Sequence, residues 1–178
     1  INCDDGSEMS AFASVSSSQG DSNTSNDEEE LITNIVINPN QPDVGLWQGE
    51  SSTDWVDCLN WKKGVIPNSS VDVTIPSTAP KQLVIDFDSP LRDTGVIAQA
   101  ANITIIGGAS LTMIDTSELQ VFGSWSNNGI FIPGNGTVGF VGFESDQTIF
   151  DLSEEPTFNI LTINTSNDFK VLIPDDQG

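Results

Sequence analysis

The sequence predicts an all-β chain: a parallel β-helix or solenoid with a Trp-rich N-terminal cap and an irregular acidic N-terminal tail. Three observations carry this. First, after Pro67 short apolar runs follow one another to the end, at 71–75, 83–87, 103–106, 111–114, 119–122, 130–132, 138–141, 148–150, 160–163 and 171–173. Gly, Asn, Asp, Ser or Pro separates them, and none shows a sustained i, i+3, i+4 stripe, so almost no helix is expected. Second, the runs are evenly spaced. Ile103, Val121, Val138 and Leu161 step by 18, 17 and 23 residues, and Leu111, Ile130, Ile149 and Val171 by 19, 19 and 22. Repeats of that length with two short strands each fit stacked coils, with apolar residues in columns inside and polar residues facing water. Third, Gly107-Gly108 before Leu111 and Gly129 before Phe131 fit corners between the faces of a coil. An antiparallel sandwich also has short strands at regular spacing, and the two folds differ in a checkable way. In a coil, the consecutive runs 103–106 and 111–114 do not pair with each other; in a sandwich they form a hairpin.

Three regions follow from composition. Residues 1–34 read as an acidic polar tail or linker: the first 30 residues hold eight acids and no Lys or Arg, and end in Asp27-Glu28-Glu29-Glu30. Such a segment buries too little apolar surface to offset the entropy of ordering, so no regular secondary structure is expected in 1–30. Met9, Phe12 and Val15 are the only sizeable apolar side chains in its long polar run from Asn2 to Glu30, and a short apolar patch in an acidic chain is a form in which disordered segments dock on a partner. Residues 35–70 form the capping module, with three of the four Trp residues, Trp47, Trp55 and Trp61. The β-branched run 31–37 leads into it, and Asn38-Pro39-Asn40-Gln41-Pro42 breaks that run. Residues 71–178 are the coils. The chain stops soon after a strand, at Asp175-Asp176-Gln177-Gly178, and a solenoid needs a cap on its last apolar layer. The expectation is therefore the N-terminal part of a longer protein.

Charge and composition exclude several function classes. With 26 Asp and Glu against 5 Lys and Arg, the net charge is −21, which excludes a phosphate-backbone binder or a polybasic membrane anchor. The chain has no His and no Tyr, so Ser-His-Asp and Cys-His chemistry, His-ligated zinc and imidazole acid–base work are absent from it. No 18-residue apolar run is present. Cys3 and Cys58 are too few for a disulfide scaffold and are not spaced as a metal site. They are either one disulfide tying the tail to the domain or two unpaired thiols.

Read in order, Trp47-x-Gly49-x-x-Ser52-Thr53-Asp54-Trp55, Asn60-Trp61-x-x-Gly64-x-x-Pro67 and Val71-Asp72-Val73-Thr74-Ile75-Pro76 make one continuous pattern. It resembles the opening module of large secreted surface proteins of Bacteroidetes, in which such a segment leads into β-helical coils. The stretches 103–112, 121–131, 136–149 and 158–164 also look like that family's coils. Ile160-Leu161 departs from its usual Asn-Leu. The resemblance spans about residues 45–173, and residues 1–30 have no counterpart in it. It implies a cargo of the type IX secretion system: an extracellular, cell-surface protein of adhesin, gliding or surface-display type, non-enzymatic in this region. Its partners would be proteins of the secretion or surface machinery, or surface glycans.

Each candidate site has a structural and a functional reading. Trp47, Trp55 and Trp61 plug the first coil, their indole N–H groups reaching loop carbonyls, or they form an aromatic platform for a sugar ring. The alternative function, a carbohydrate-binding or carbohydrate-active β-helix, would use that platform, or else converging carboxylates. The closest acids are Asp86, Asp88 and Asp93, then Asp115 and Glu118, and acids in turns are solvated by default. The basic residues beside them are few, so no catalytic residue is assigned and no cofactor is expected. For calcium, no D-x-[DN]-x-[DN]-G loop occurs, and the Asp86/Asp88 loop is the nominal candidate.

Overall fold

The computed structural model describes residues 8–14, 28–34, 43–86, 97–152, 158–165 and 169–174, the first two segments by their backbone alone. The chain divides into two compact units, Ile1–Asn38 and Pro39–Gly178. The Trp-rich segment therefore belongs with the apolar runs that follow it.

In the first unit, β1 (Glu8–Ser14) pairs antiparallel with β2 (Glu28–Asn34), from Glu8 opposite Asn34 to Ser14 opposite Glu28. This corrects the expectation of an irregular tail. The run that begins at Leu31 was legible as a strand. A strand in this position offers a full ladder of backbone partners to 8–14, which composition alone does not register. Val15 lies outside the described residues.

The second unit is all-β with parallel sheets, apart from two short 3-10 turns, Cys58–Asn60 and Lys62–Gly64. Its strands are β3 (Val73–Ile75), β4 (Leu83–Ile85), β5 (Ala98–Ala100), β6 (Ile103–Ile105), β7 (Ser110–Met113), β8 (Glu118–Val121), β9 (Trp125–Asn127), β10 (Ile130–Ile132), β11 (Thr137–Phe140), β12 (Gln147–Asp151), β13 (Ile160–Ile163) and β14 (Val171–Leu172). They form three sheets, ordered β3-β6-β9-β12-β14, β4-β7-β10 and β5-β8-β11-β13, with every pairing parallel. Up to β12 the chain visits the sheets in rotation, and each strand adds beside the one laid down a circuit earlier. Because β6 and β7 lie in different sheets, the hairpin of an antiparallel sandwich is not formed.

The repeat has three strands rather than the two expected. β5 and β9 were not legible as strands, because Ala98-Gln99-Ala100 and Trp125-Ser126-Asn127 contain no apolar run. Their absence shifts the register of the spacing argument. Val138 aligns with Leu119 and Leu161, whereas Val121 aligns with Ala100 and Phe140, and Ile103 stacks in another sheet between Val73 and Trp125. All of these but Leu161 are buried, as expected for inward positions.

Strand alternation builds the core. Val73, Ile103, Trp125 and Ile149 form one inward column, Leu83, Leu111 and Phe131 a second, and Ala98, Leu119 and Val138 a third. Thr74, Thr104 and Ser126 face outward between them. Trp125 meets Phe131 and Phe158 edge-on, with ring centroids 4.9 and 5.4 Å apart. Gly129 sits at a corner where a Cβ would collide with the carbonyl oxygens of Ile106 and Ala109, so the expectation of a glycine corner holds there for a steric reason.

Replacing Leu119 by Ala, in the middle of its column, should destabilise the domain by about 2–5 kcal/mol in urea denaturation. Thr104→Ala, on the outer face, should stay within about 1 kcal/mol. Equal effects would show the inward and outward faces to be misassigned.

Candidate functional site

The most elaborated part of the second unit is the segment before β3. Leu46 bridges in parallel to Thr74 and Asp54 to Val84, so the segment lies along the first strands of two sheets. Four backbone bonds make the contact: Trp47 N–H to Thr74 O at 2.9 Å, Thr74 N–H to Gly45 O at 3.0 Å, Trp55 N–H to Val84 O at 3.2 Å and Val84 N–H to Thr53 O at 2.7 Å. The edge backbone groups of β3 and β4 are thereby paired rather than left open.

Asn60 holds this segment in shape. It is fully buried, and its amide uses its whole capacity. Oδ1 accepts from the backbone N–H groups of Ser51 and Ser52 at 2.9 and 2.8 Å, and Nδ2 donates to Ser52 Oγ at 2.8 Å and Asp54 O at 3.0 Å. Ser52 Oγ donates in turn to Asp57 Oδ2 at 2.8 Å, and Asp57 Oδ1 caps the first 3-10 turn by accepting from Leu59 N–H. Gly49 completes the loop with φ +60°, at a place where a Cβ would run into Lys81 O. The spacing of Gly49, Ser52, Asp54, Asp57 and Asn60 is thus the spacing of one hydrogen-bond network.

The three Trp rings lie beneath that network, at 1–2% exposure. Trp61 is the hub: Trp47 and Trp55 each meet it edge-on, with centroids 5.0 Å away. Trp61 Nε1–H donates to Trp55 O at 2.7 Å and Trp47 Nε1–H to Lys81 O at 2.8 Å, as the capping expectation requires, but Trp55 Nε1–H has no acceptor. No ring presents a face to solvent, which corrects the alternative of a sugar platform on Trp47, Trp55 and Trp61. Stacking on a glycan needs an open ring face, and here those faces are packed in the core.

The remaining candidates are placed as follows. Cys58 is buried and disulfide-bonded, and Cys3 lies outside the described residues. Met9 and Phe12 fall on β1. Asp86 is partly buried just after β4, and Asp88 and Asp93 lie outside the described residues. Asp115 is an exposed turn residue with φ +52°, and Glu118 accepts from Gln120 Nε2 at 2.9 Å. Among the described residues no three acids or cysteines come together as a metal site.

Sequence reasoning missed a set of polar residues that join successive circuits. Asp72 Oδ1 accepts from Asn102 Nδ2 at 2.7 Å, Asn102 Oδ1 from Ser124 N–H at 2.6 Å, and Ser124 Oγ from Thr148 N–H at 3.0 Å. Buried Gln147 donates to the carbonyls of Val121 and Gly123 at 3.0 and 2.6 Å, and buried Asn127 donates to the Asp151 carboxylate at 3.1 Å. The available signal was position: Asp72, Asn102 and Ser124 each immediately precede a strand of the same sheet.

One ion pair is present among the described residues, Lys62 Nζ to Asp43 Oδ2 at 2.8 Å. The hydrogen bond from Lys62 and its charge hold the Asp43 carboxyl below its usual range. No family model, curated protein or solved structure matches the chain.

Trp61→Ala should cost roughly 3–5 kcal/mol. Between the milder changes, Trp61→Phe should cost about 1 kcal/mol more than Trp55→Phe, because only the first removes a hydrogen bond and orphans a buried carbonyl. Chemical denaturation of the variants checks both values. The Asp43–Lys62 pair is solvent-exposed, so Lys62→Ala should leave the denaturation midpoint at pH 7 almost unchanged. Since the folded-state pKa of Asp43 is lowered, its contribution exists above the unfolded value and is lost as pH falls through the folded one. Any difference between Lys62→Ala and the parent should therefore vanish in acid, and a difference that grew in acid would contradict the assignment.

Proposed function

We propose that the second unit is a three-faced parallel β-helix that serves as a non-enzymatic scaffold in a secreted, cell-surface protein. The rotation of strands through three parallel sheets supports the fold, with the Trp segment as its N-terminal cap. The observation that carries the functional reading is where the motif residues are used. Asn60, Ser52, Gly49 and the three Trp residues of the continuous pattern, with Asp57 beside them, bond or pack against the chain itself. They close the first edge of a stack, as a stalk or display module requires.

The disulfide at Cys58 supports an oxidising, extracellular location, since such bonds are rare in reducing compartments. The net charge of −21 suits a solvated surface protein. With the resemblance to Bacteroidetes surface proteins, these features point to a type IX secretion cargo of adhesin, gliding or surface-display type, whose partners are proteins of the secretion or surface machinery.

Protease shaving of intact source cells, followed by immunodetection of this region, tests the location. The region should be cleaved on whole cells and become protected, inside the cell, when type IX secretion is disabled. Protection in both strains, with cleavage only after lysis, would refute a surface location.

A further inference from the structure

We propose that the loop 141–146, between β11 and β12, is a recognition loop whose Phe143 enters an apolar pocket, rimmed by Lys or Arg, on a partner protein. The proposal does not depend on a cell-surface location. The loop lies at the corner where the chain passes from the sheet β5-β8-β11-β13 to the sheet β3-β6-β9-β12-β14. In the two preceding circuits the same corner is turned by 101–102 and by 122–124, which are two and three residues. Here it takes six. Two residues are enough to turn this corner, so the fold itself does not require the added length.

The base of the loop is clamped to its neighbours. Val141 N–H donates to Val121 O at 3.0 Å. Buried Gln147 accepts from Gly142 N–H at 3.3 Å and donates to the carbonyls of Val121 and Gly123 at 3.0 and 2.6 Å. Gly142 lies so close to the preceding circuit that a Cβ would collide with Phe122 O. On the other side, Asp146 Oδ1 accepts from Lys170 N–H at 2.9 Å, and Gln147 N–H donates to Lys170 O at 2.8 Å. A loop held at both ends loses less conformational entropy on binding than a free segment does.

Between those anchors Phe143, Glu144, Ser145 and Asp146 are all exposed. Phe143 is 61% exposed, the most of any aromatic side chain among the described residues. A single apolar residue on a surface is ordinary. A Phe carried on an insertion with a clamped base is not, because it offers a large apolar area with few bonds to freeze. Charge selects the partner. Glu144 and Asp146 follow Phe143 within three residues, in a chain of net charge −21. They complement a pocket with a basic rim. An anionic bilayer surface would repel them, and a neutral glycan would leave them unused.

Site-specific photocrosslinking of the full chain in its source cells tests this. The probe is p-benzoylphenylalanine, placed at Phe143 and, in a second strain, at Ile106, an exposed apolar residue on another corner. Light should give one discrete, protease-sensitive adduct from position 143 and none from 106, with the crosslink mapping beside Lys or Arg of the captured protein. With that protein purified, Phe143→Ala should weaken binding about 30-fold or more and Glu144→Lys about fivefold, and the affinity of the parent chain should fall with salt. Both side chains are exposed, so the denaturation midpoint should stay unchanged in either variant. The proposal is overturned if position 143 gives no adduct, if 106 gives the same one, or if the adduct is a glycan or a lipid. Binding indifferent to Phe143→Ala would overturn it as well.

Discussion

Every parallel ladder begins with a strand that has nothing beneath it, and closing that first edge is the constraint on which the rest of this structure depends. Parallel strands cannot be closed off by a tight hairpin, because each return requires a crossover. The segment 45–61 meets the constraint in two ways at once. Its backbone supplies the missing partners of β3 and β4, and its Trp rings cover the start of the columns that begin at Val73 and Leu83. Neither is possible unless the loop from Gly49 to Asn60 holds one shape, and the four bonds of the buried Asn60 amide give it that shape. A fully satisfied polar group in a core fixes geometry, whereas a partly satisfied one would destabilise it.

The same logic runs up the stack. A chain with 37% hydrophobic residues cannot fill three columns and every corner with apolar side chains alone. Polar residues take the corners, where they bond to the circuit above or below. Asp72, Asn102 and Ser124 form one such series, and Gln147 ties the carbonyls of the preceding circuit to its own. The acids and amides that composition marks as solvated are therefore partly mortar between circuits.

This explains what was legible in the sequence and what was not. The all-β class, the parallel stacking and the burial of Trp47, Trp55 and Trp61 follow from periodicity and from aromatic residues clustered ahead of the first run. The three-strand repeat was hidden because Ala98-Gln99-Ala100 and Trp125-Ser126-Asn127 are strands by position, held by their neighbours' ladders rather than by their own propensity. The hairpin of β1 and β2 was hidden for a related reason: composition measures whether a segment can bury itself, not whether a partner strand waits twenty residues on. The site was legible as residue types at fixed spacing, but Asn60 as its centre was not, because an Asn in a turn-rich segment reads as a turn residue.

The contrast between the two ends of the stack bears on how such a chain stays soluble. Twenty-one net negative charges keep copies apart, yet at physiological ionic strength screening confines that repulsion to about 8 Å. Repulsion of that range slows encounter without preventing it. An apolar layer such as Leu161, Ile163 and Ile173 is therefore not protected by the charge of the rest of the molecule. It must be covered by matter, as the Trp segment covers the first layer. Net charge sets how often surfaces meet, while the pattern of burial along the columns sets which surfaces hold.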